Sequence, residues 1–281
     1  MKFDFDNKID IAWCPGCGNF SIRKALLEVL NELAIEPEKT VLTSGIGQAA
    51  KMPQYINCNF FNGLHGRGLP LAVAKKSVNP SLTVFDEGGD VVMDGEGVNH
   101  FIHYIRRNPN ITHLVHNNMI YGLTKGQGTP TSMPGMKTNV QVDGVINEPF
   151  NPLAVALSLG ATFVARGFSG DIEHLKKLMI AAINHKGYAL IDIFQPCVTF
   201  NKTNTYKWYK NNTYVLPDSR NKTDAYAAFC LAMKKDKYPL GILYQNDNGT
   251  PFEESLPVYI ENDEPLINRK RDIKNVNALI K

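Results

Sequence analysis

Apolar residues fall three and four apart between positions 21 and 33, at Ile22, Leu26, Val29, Leu30 and Leu33. That spacing lines one face of a helix. The pattern then shortens into β-prone runs. Residues 40–43 read as a strand entering Gly45-Ile46-Gly47, and residues 81–85 as a buried strand followed by glycine-rich sequence as far as Gly97. Helices are expected at 69–76, directly after Gly68, and at 98–107, while residues 112–116 form a further strand opening into Asn117-Asn118. The alternation repeats through 152–159, a strand at 161–164, a helix at 171–184 and a strand at 188–193. Strands and helices taking turns over this length predict an α/β fold, with a parallel sheet covered by helices on both faces.

Two stretches break the rhythm. Residues 124–147 are full of Gly, Pro, Thr and Met and read as one long loop; loops of that length in compact domains are functional or disordered. From about residue 200 the chain turns rich in Asn, Thr, Lys and Tyr, and its last fifty residues are polar with scattered Pro. The expected organisation is a main domain at 1–200 and a C-terminal extension at 201–281 that wraps the core or contacts a partner.

Composition narrows the class. A chain of 281 residues, 43% of them hydrophobic, can bury a substantial core. Its net charge of +3 is too small to indicate nucleic acid or a membrane surface as partner. No apolar run approaches the ~18 residues that span a bilayer, and the opening Met1-Lys2-Phe3-Asp4 lacks the basic-then-apolar order of a signal peptide. Five unevenly placed cysteines do not make a disulfide scaffold. We expect a soluble, cytoplasmic protein.

Four segments hold more chemistry than a core needs. In Cys14-Pro15-Gly16-Cys17, a tight turn brings two thiols within reach of one metal or cluster, or of each other. Cys197 lies just past a predicted strand end, where α/β folds place ligands; Cys58 and Cys230 sit in apolar sequence and read as buried, inert thiols. The turn Gly45-Ile46-Gly47-Gln48-Ala49-Ala50 follows a strand and suits a phosphate. The acidic residue a nicotinamide site needs about 20 positions later is replaced by Leu64-His65-Gly66-Arg67. His65-Gly66-Arg67-Gly68 opens a helix and offers amides and a guanidinium to an anion, or forms a plain surface pair. Finally, Gly89-Asp90 and Asn117-Asn118 follow successive strands, with Asp90 and Asn118 28 positions apart and a helix between them. A βαβ unit delivers both to one sheet edge, where a carboxylate, an amide oxygen and a backbone carbonyl suit Mg²⁺ with phosphate oxygens completing its shell.

Gly89-Asp90 followed by Asn118 resembles the thiamine-diphosphate motif. Together with Cys14-Pro15-Gly16-Cys17-Gly18, Ser44-Gly45-Ile46-Gly47, Leu64-His65-Gly66-Arg67, the 99–108 segment Asn-His-Phe-Ile-His-Tyr-Ile-Arg-Arg-Asn and Tyr121-Gly122-Leu123-Thr124-Lys125-Gly126-Gln127, the chain resembles the β subunit of 2-oxoacid:ferredoxin oxidoreductases from about residue 11 to 200, the 2-oxoglutarate and general 2-oxoacid types fitting best. The resemblance implies a thiamine-diphosphate-binding fold at 1–200. It assigns Mg²⁺ to Asp90, Asn118 and the Ile120 carbonyl. The coenzyme falls to Ser44, Gly45, Ile46, Gly47, Gly66, Gly89, Gly122 and Leu123, with His65 and Arg67 as catalytic residues in the same pocket, and the substrate acid to Lys51, Leu123 and Lys125. It also implies oxidative decarboxylation of a 2-oxoacid, with coenzyme A taking the acyl group and electrons leaving singly through a [4Fe-4S] cluster to ferredoxin.

Two departures matter. Cys14, Cys17 and Cys197 match three cluster cysteines, but Gln48 stands in the fourth place, with Cys58, ten positions on, the other candidate. Val91 replaces a glycine; a β-branched residue avoids positive φ, so left-handed geometry there would weaken coenzyme binding. The carboxylate that must face the aminopyrimidine is not found in this chain, which implies an α subunit as partner. Two other readings stay open: a thiamine-dependent decarboxylase or synthase lacking the cluster, and a non-catalytic metal-binding assembly subunit whose Cys pair holds zinc.

Overall fold

The computed structural model describes residues 2–270, 272–278 and 280, apart from the Val92 side chain. Eight strands form one sheet. In chain order its elements are α1 (Gly18–Glu32), β1 (Thr40–Ser44), β2 (Asn59–Asn62), α2 (Gly68–Val78), β3 (Thr83–Gly89), α3 (Val98–Arg107), β4 (Ile111–Asn117), α4 (Pro152–Ser158), β5 (Phe163–Phe168), α5 (Ile172–Asn184) and β6 (Tyr188–Phe194). Then follow α6 (Tyr206–Asn212), β7 (Thr213–Val215), α7 (Ala225–Ala232), β8 (Tyr238–Gln245) and α8 (Ile273–Ala278). The strand order is β2-β1-β3-β4-β6-β5-β8-β7. β1 to β6 are parallel, whereas β8 runs antiparallel to β5.

Period-two burial gives the sheet two apolar faces. Leu42, Phe85, Leu114 and Ile191 pack with Ile22, Leu26 and Leu30 of α1 and Leu175 and Met179 of α5. Their sequence neighbours Val41, Val84, Val115 and Leu190 pack on the other side with Leu69 and Val73 of α2, Phe101 of α3 and Ala228 of α7. Side-chain caps fix where several helices begin: Asn151 accepts from the Ala154 amide with Pro152 in the first turn, and Asp171 accepts from the His174 amide.

Three features differ from the sequence expectation. β2 was not expected; Asn59-Phe60-Phe61-Asn62 is a four-residue edge strand whose two phenylalanines are exposed, so it carries no burial pattern. Residues 91–96, part of the glycine-rich sequence to which no element was assigned, form a π-helical turn from Val91 to Glu96. Val91 and Met93 are buried there, and this packing holds a helical backbone despite Gly95. Cys230, expected buried, is exposed on α7. Residues 118–151 carry no helix or strand, as a loop requires. Beyond residue 200 the chain supplies β8, with buried Leu240 and Leu243, and a buried turn at Asn201 and Asn204.

Candidate active site

The strand order turns outward in both directions from β1 and β3, and in an open α/β sheet such a switch point leaves a crevice at the carboxyl ends of the strands. A cleft of about 330 Å³ lies there, lined by Ile46 and Gly47 after β1, Gly89 and Asp90 after β3, and Asn118, Ile120, Gly122 and Leu123 after β4, with His65 and Val91. β3 and β4 are neighbours with Gly89 opposite His116, so Asp90 and Asn118 leave the sheet side by side.

Asp90 is almost completely buried, and its two oxygens differ. Oδ2 accepts a 2.6 Å hydrogen bond from the Thr131 hydroxyl, whereas Oδ1 is buried with no partner. Burial pushes this carboxyl up to about 6, against the lowering effect of the Thr131 hydroxyl. The Asn118 amide oxygen accepts from the Ile120 amide at 2.9 Å, and its Nδ2 donates to Gln195 Oε1 at 3.2 Å. Met119 between them takes φ 57°, a left-handed turn that costs a non-glycine residue strain and tends to mark a functional site. Asn201, from the C-terminal segment, donates to the Asn118 carbonyl at 3.0 Å.

A buried polar chain stands behind Asp90. Thr131 Oγ1 is also 3.1 Å from Asn117 Oδ1, Asn117 Nδ2 donates to Asp192 Oδ1 at 3.0 Å, and Arg166 Nε donates to Asp192 Oδ2 at 3.0 Å. The Arg166 guanidinium lies over the Phe194 and Tyr238 rings. Such a network fixes rotamers that a single contact would leave loose. Thr131 gave no sequence signal beyond lying in the long loop, and Asp192 reads there as one polar residue in an apolar strand.

The remaining expected residues divide. His65 lines the cleft, its Nδ1 3.4 Å from the Glu96 carboxylate, which also accepts from the Tyr121 hydroxyl at 3.2 Å. Arg67 is exposed and donates to the Gly66 and Glu96 carbonyls, so it braces the loop and does not line the cleft. Gly66 takes φ +68°, and a Cβ there would sit 2.5 Å from the Glu96 carbonyl carbon. The Ser44 hydroxyl donates to the Ala50 carbonyl, holding the turn that presents Ile46 and Gly47. Lys51 and Lys125 lie two positions beyond the lining residues Ala49 and Leu123 and are not themselves in the lining. Val91 has no positive φ; it begins the π-helical turn, so the strain expected of it does not arise.

A second, smaller cleft of about 50 Å³ adjoins the first. Cys14, Cys17, Cys197 and Gln48 all line it, with Trp13 and Gln195, and Gln48, Asn118 and Gly122 are common to both clefts. Burial pushes the Cys17 thiol up to about 11, with Cys197 and Cys14 nearby adding to the rise, while Gln195 Nε2 donates to Cys17 Sγ at 3.4 Å. Gln48 Oε1 is buried without a partner. Cys58 is not in this cleft; burial, with Glu87 nearby, pushes its thiol up to about 12. Among the described residues no three His, Cys, Asp or Glu side chains converge as a single ion would need.

Comparison with known proteins adds an independent line. The profile described as thiamine pyrophosphate enzyme, C-terminal TPP binding domain, matches residues 42–193, and that for the C-terminal part of the pyruvate ferredoxin oxidoreductase beta subunit matches 197–261. The chain is 41% identical to the 2-oxoacid:ferredoxin oxidoreductase subunit beta of Saccharolobus solfataricus over 268 residues, covering 89% of this chain and 88% of that one. It is 41% identical to 2-oxoacid:ferredoxin oxidoreductase 1, subunit beta, of Aeropyrum pernix over 271 residues, 91% of this chain and 85% of the other. A solved structure of 2-oxoglutarate:ferredoxin oxidoreductase from Magnetococcus marinus, with 2-oxoglutarate, coenzyme A and succinyl-CoA bound, superposes with a TM-score of 0.91 at 35% identity, covering 99% of this chain and 95% of that one.

Proposed function

Starting from a chain that belongs to the β subunits of the 2-oxoacid:ferredoxin oxidoreductases, we propose that it holds thiamine diphosphate and Mg²⁺ in the larger cleft and oxidatively decarboxylates a 2-oxoacid with coenzyme A. One observation carries this reading: a buried carboxylate oxygen, Asp90 Oδ1, left without a partner beside the Asn118 amide at neighbouring strand ends. An unsatisfied buried carboxylate is costly, and a hard divalent cation supplies what it lacks. Asp90, Asn118 and the Ile120 carbonyl would hold the ion, and the Gly45-Ile46-Gly47 turn, Gly89, Gly122 and Leu123 would receive the diphosphate and thiazolium.

When bound, the coenzyme supplies the electron sink for decarboxylation. The chain's own residues do the rest. Thr131 fixes Asp90 Oδ2 and so aims Oδ1. His65, held near Glu96, sits where it can exchange a proton at Nδ1 or Nε2, and Arg67 keeps that loop in place. Val91 and Ile120, both buried, give the cleft part of its apolar wall. Lys51 and Lys125 place positive charge beyond the lining, on the side where we put the substrate's carboxylate.

Cys14, Cys17 and Cys197 would hold an iron–sulfur cluster that passes electrons to ferredoxin, and a cytoplasmic setting would keep these thiols reduced. Among the described residues no helix is long and apolar enough to cross a membrane. We assign the coenzyme to 1–200 and the partner contact to 201–281 together with the exposed Ile46, Phe60, Phe61 and Leu64 around β1 and β2; an apolar surface of this kind beside a cleft fits a protein partner. That partner is an α subunit supplying the missing carboxylate.

The test is anaerobic co-purification with the α subunit, followed by ferredoxin reduction on adding 2-oxoglutarate or pyruvate with coenzyme A. Oxoacid-dependent reduction by the complex, and none by this chain alone, is expected. Calorimetry showing no binding of thiamine diphosphate with Mg²⁺ to the complex would overturn the assignment.

A further inference from the structure

We propose that the Gln48 side-chain amide is the fourth protein ligand of the cluster, and that the iron it holds is exchangeable and faces the coenzyme cleft. This rests on the cluster assignment made above and extends it to one atom. Three thiols line the small cleft together with the side-chain amides of Asn19, Gln48, Asn118 and Gln195. The amide oxygens of Asn19, Asn118 and Gln195 are hydrogen-bonded to His116, the Ile120 amide and Asn118 Nδ2, which leaves the oxygen of Gln48. That oxygen, Oε1, is buried and takes no hydrogen bond from the protein, although buried carbonyl oxygens are as a rule paired. The residue is held in place through its backbone. Trp13 Nε1 donates to the Gln48 backbone carbonyl at 2.8 Å, so the indole beside Cys14 ties Gln48 to the cysteine turn. Cys17 has a donor of its own in Gln195 Nε2. The corner left for an oxygen ligand is therefore the Gln48 corner.

Position gives that corner its direction. Gln48 lines both clefts, whereas Cys14, Cys17 and Cys197 line only the smaller one. The iron bound by the amide thus lies on the coenzyme side. Iron in a cluster prefers soft thiolate to a neutral amide oxygen, so this iron is the first to leave. With three thiolates in place of four, the site is also one charge less negative, which raises its reduction potential. Oxidation then releases the iron in a balanced step: [4Fe-4S]²⁺ gives [3Fe-4S]⁺, Fe²⁺ and one electron, with ferricyanide taking the electron. Addition of Fe²⁺ and a reductant such as dithionite reverses it.

The experiment uses the anaerobically purified complex with its α subunit, treated with limiting ferricyanide and read by paramagnetic resonance and by chelator capture of released Fe²⁺. The expected result is one Fe²⁺ released per cluster with the three-iron signal, reversed by Fe²⁺ and dithionite. Gln48→Cys should keep all four irons under the same treatment and have a lower potential. Gln48→Ala should lose its fourth iron at least tenfold faster than wild type. Thiamine diphosphate with Mg²⁺ should slow release, because it covers that side. A wild-type cluster that keeps four irons, or a Gln48→Ala variant that behaves as wild type, overturns the role of Gln48 while leaving the cluster in place. Unchanged release with coenzyme bound overturns the orientation. Absence of iron and acid-labile sulfide from the complex overturns the cluster assignment itself.

Discussion

At Asp90, burial and ligation pull in opposite directions. The carboxyl is raised to about 6 by burial, yet it must be ionised to hold a cation. Coenzyme binding with Mg²⁺ should therefore weaken as pH falls below about 6, approaching tenfold per pH unit for one proton. Thr131 lowers this carboxyl through its hydrogen bond, so Thr131→Val should move the midpoint upward and weaken binding by about tenfold at pH 7. Thr131→Ser should restore both. Calorimetric titrations of the three proteins from pH 5 to 8 share any titration of the ligand, so coincident midpoints would remove Thr131 from the site. Asp90→Asn should lose at least about a hundredfold in affinity, since it takes the only carboxylate from the proposed ligand set. The pair Asp90 and Asn118 was legible in sequence because strand, helix and strand lengths decide which residues reach one edge. Thr131 was not: it comes from a loop with no periodicity, and only the folded loop brings its hydroxyl to the carboxylate.

Elements set the walls of the cleft, and their close approaches are tight. Gly66 meets the Glu96 backbone in a left-handed conformation, so Gly66→Ala should destabilise the chain by at least about 2 kcal/mol, measurable as a lower urea midpoint. Gly68 begins α2 with its missing Cβ 2.1 Å from Asp86 Oδ1. A methyl group there would push α2 off the sheet and displace the His65 loop, so Gly68→Ala should reduce coenzyme affinity as well as stability. At the edge of the sheet, among the described residues, β2 pairs only with β1 and exposes Phe60 and Phe61. Phe61→Lys with Leu64→Glu should leave folding intact and abolish co-purification with the α subunit; an undiminished yield of complex would move the interface elsewhere. The helices at 98–107 and 171–184 could be read from the sequence because each has one apolar face and a clear end. β2 and the π-helical turn at Val91–Glu96 could not, the first for want of burial and the second because its geometry depends on what packs around it.

Across the whole molecule, buried acids and buried histidines give stability a dependence on pH. Burial raises Asp86 to about 8, and Glu87 and Asp94 well above their ordinary range. A carboxyl raised in the folded state favours folding while protonated, so its contribution is full below about pH 4 and is lost as pH rises through the folded value. His113 and His116 are lowered to about 3 by burial, and their contribution is lost as pH falls below about 6.5. From about pH 7.5 to 8.5 the histidines are essentially neutral in both states and these acids set the slope. The metal-stripped chain should therefore melt at progressively lower temperature over that window, with Asp86→Asn flattening the slope. A melting temperature that rises with pH there would contradict the burial of these groups.

The sequence by itself determined the alternation of strands and helices, the two-faced sheet and the delivery of Asp90 and Asn118 to one edge, because these follow from local periodicity and segment length. It also brought Cys14 and Cys17 onto one turn, since Pro15-Gly16 between them favours a tight reversal. Only the tertiary structure decided that Gln48 and Cys197 would share a cleft with them, that Thr131 would grip Asp90 and that Asn201 would reach the Asn118 carbonyl. Those contacts join residues far apart in the chain. Their distances are set by how the sheet twists and how loops without periodicity pack, and no local pattern carries that information.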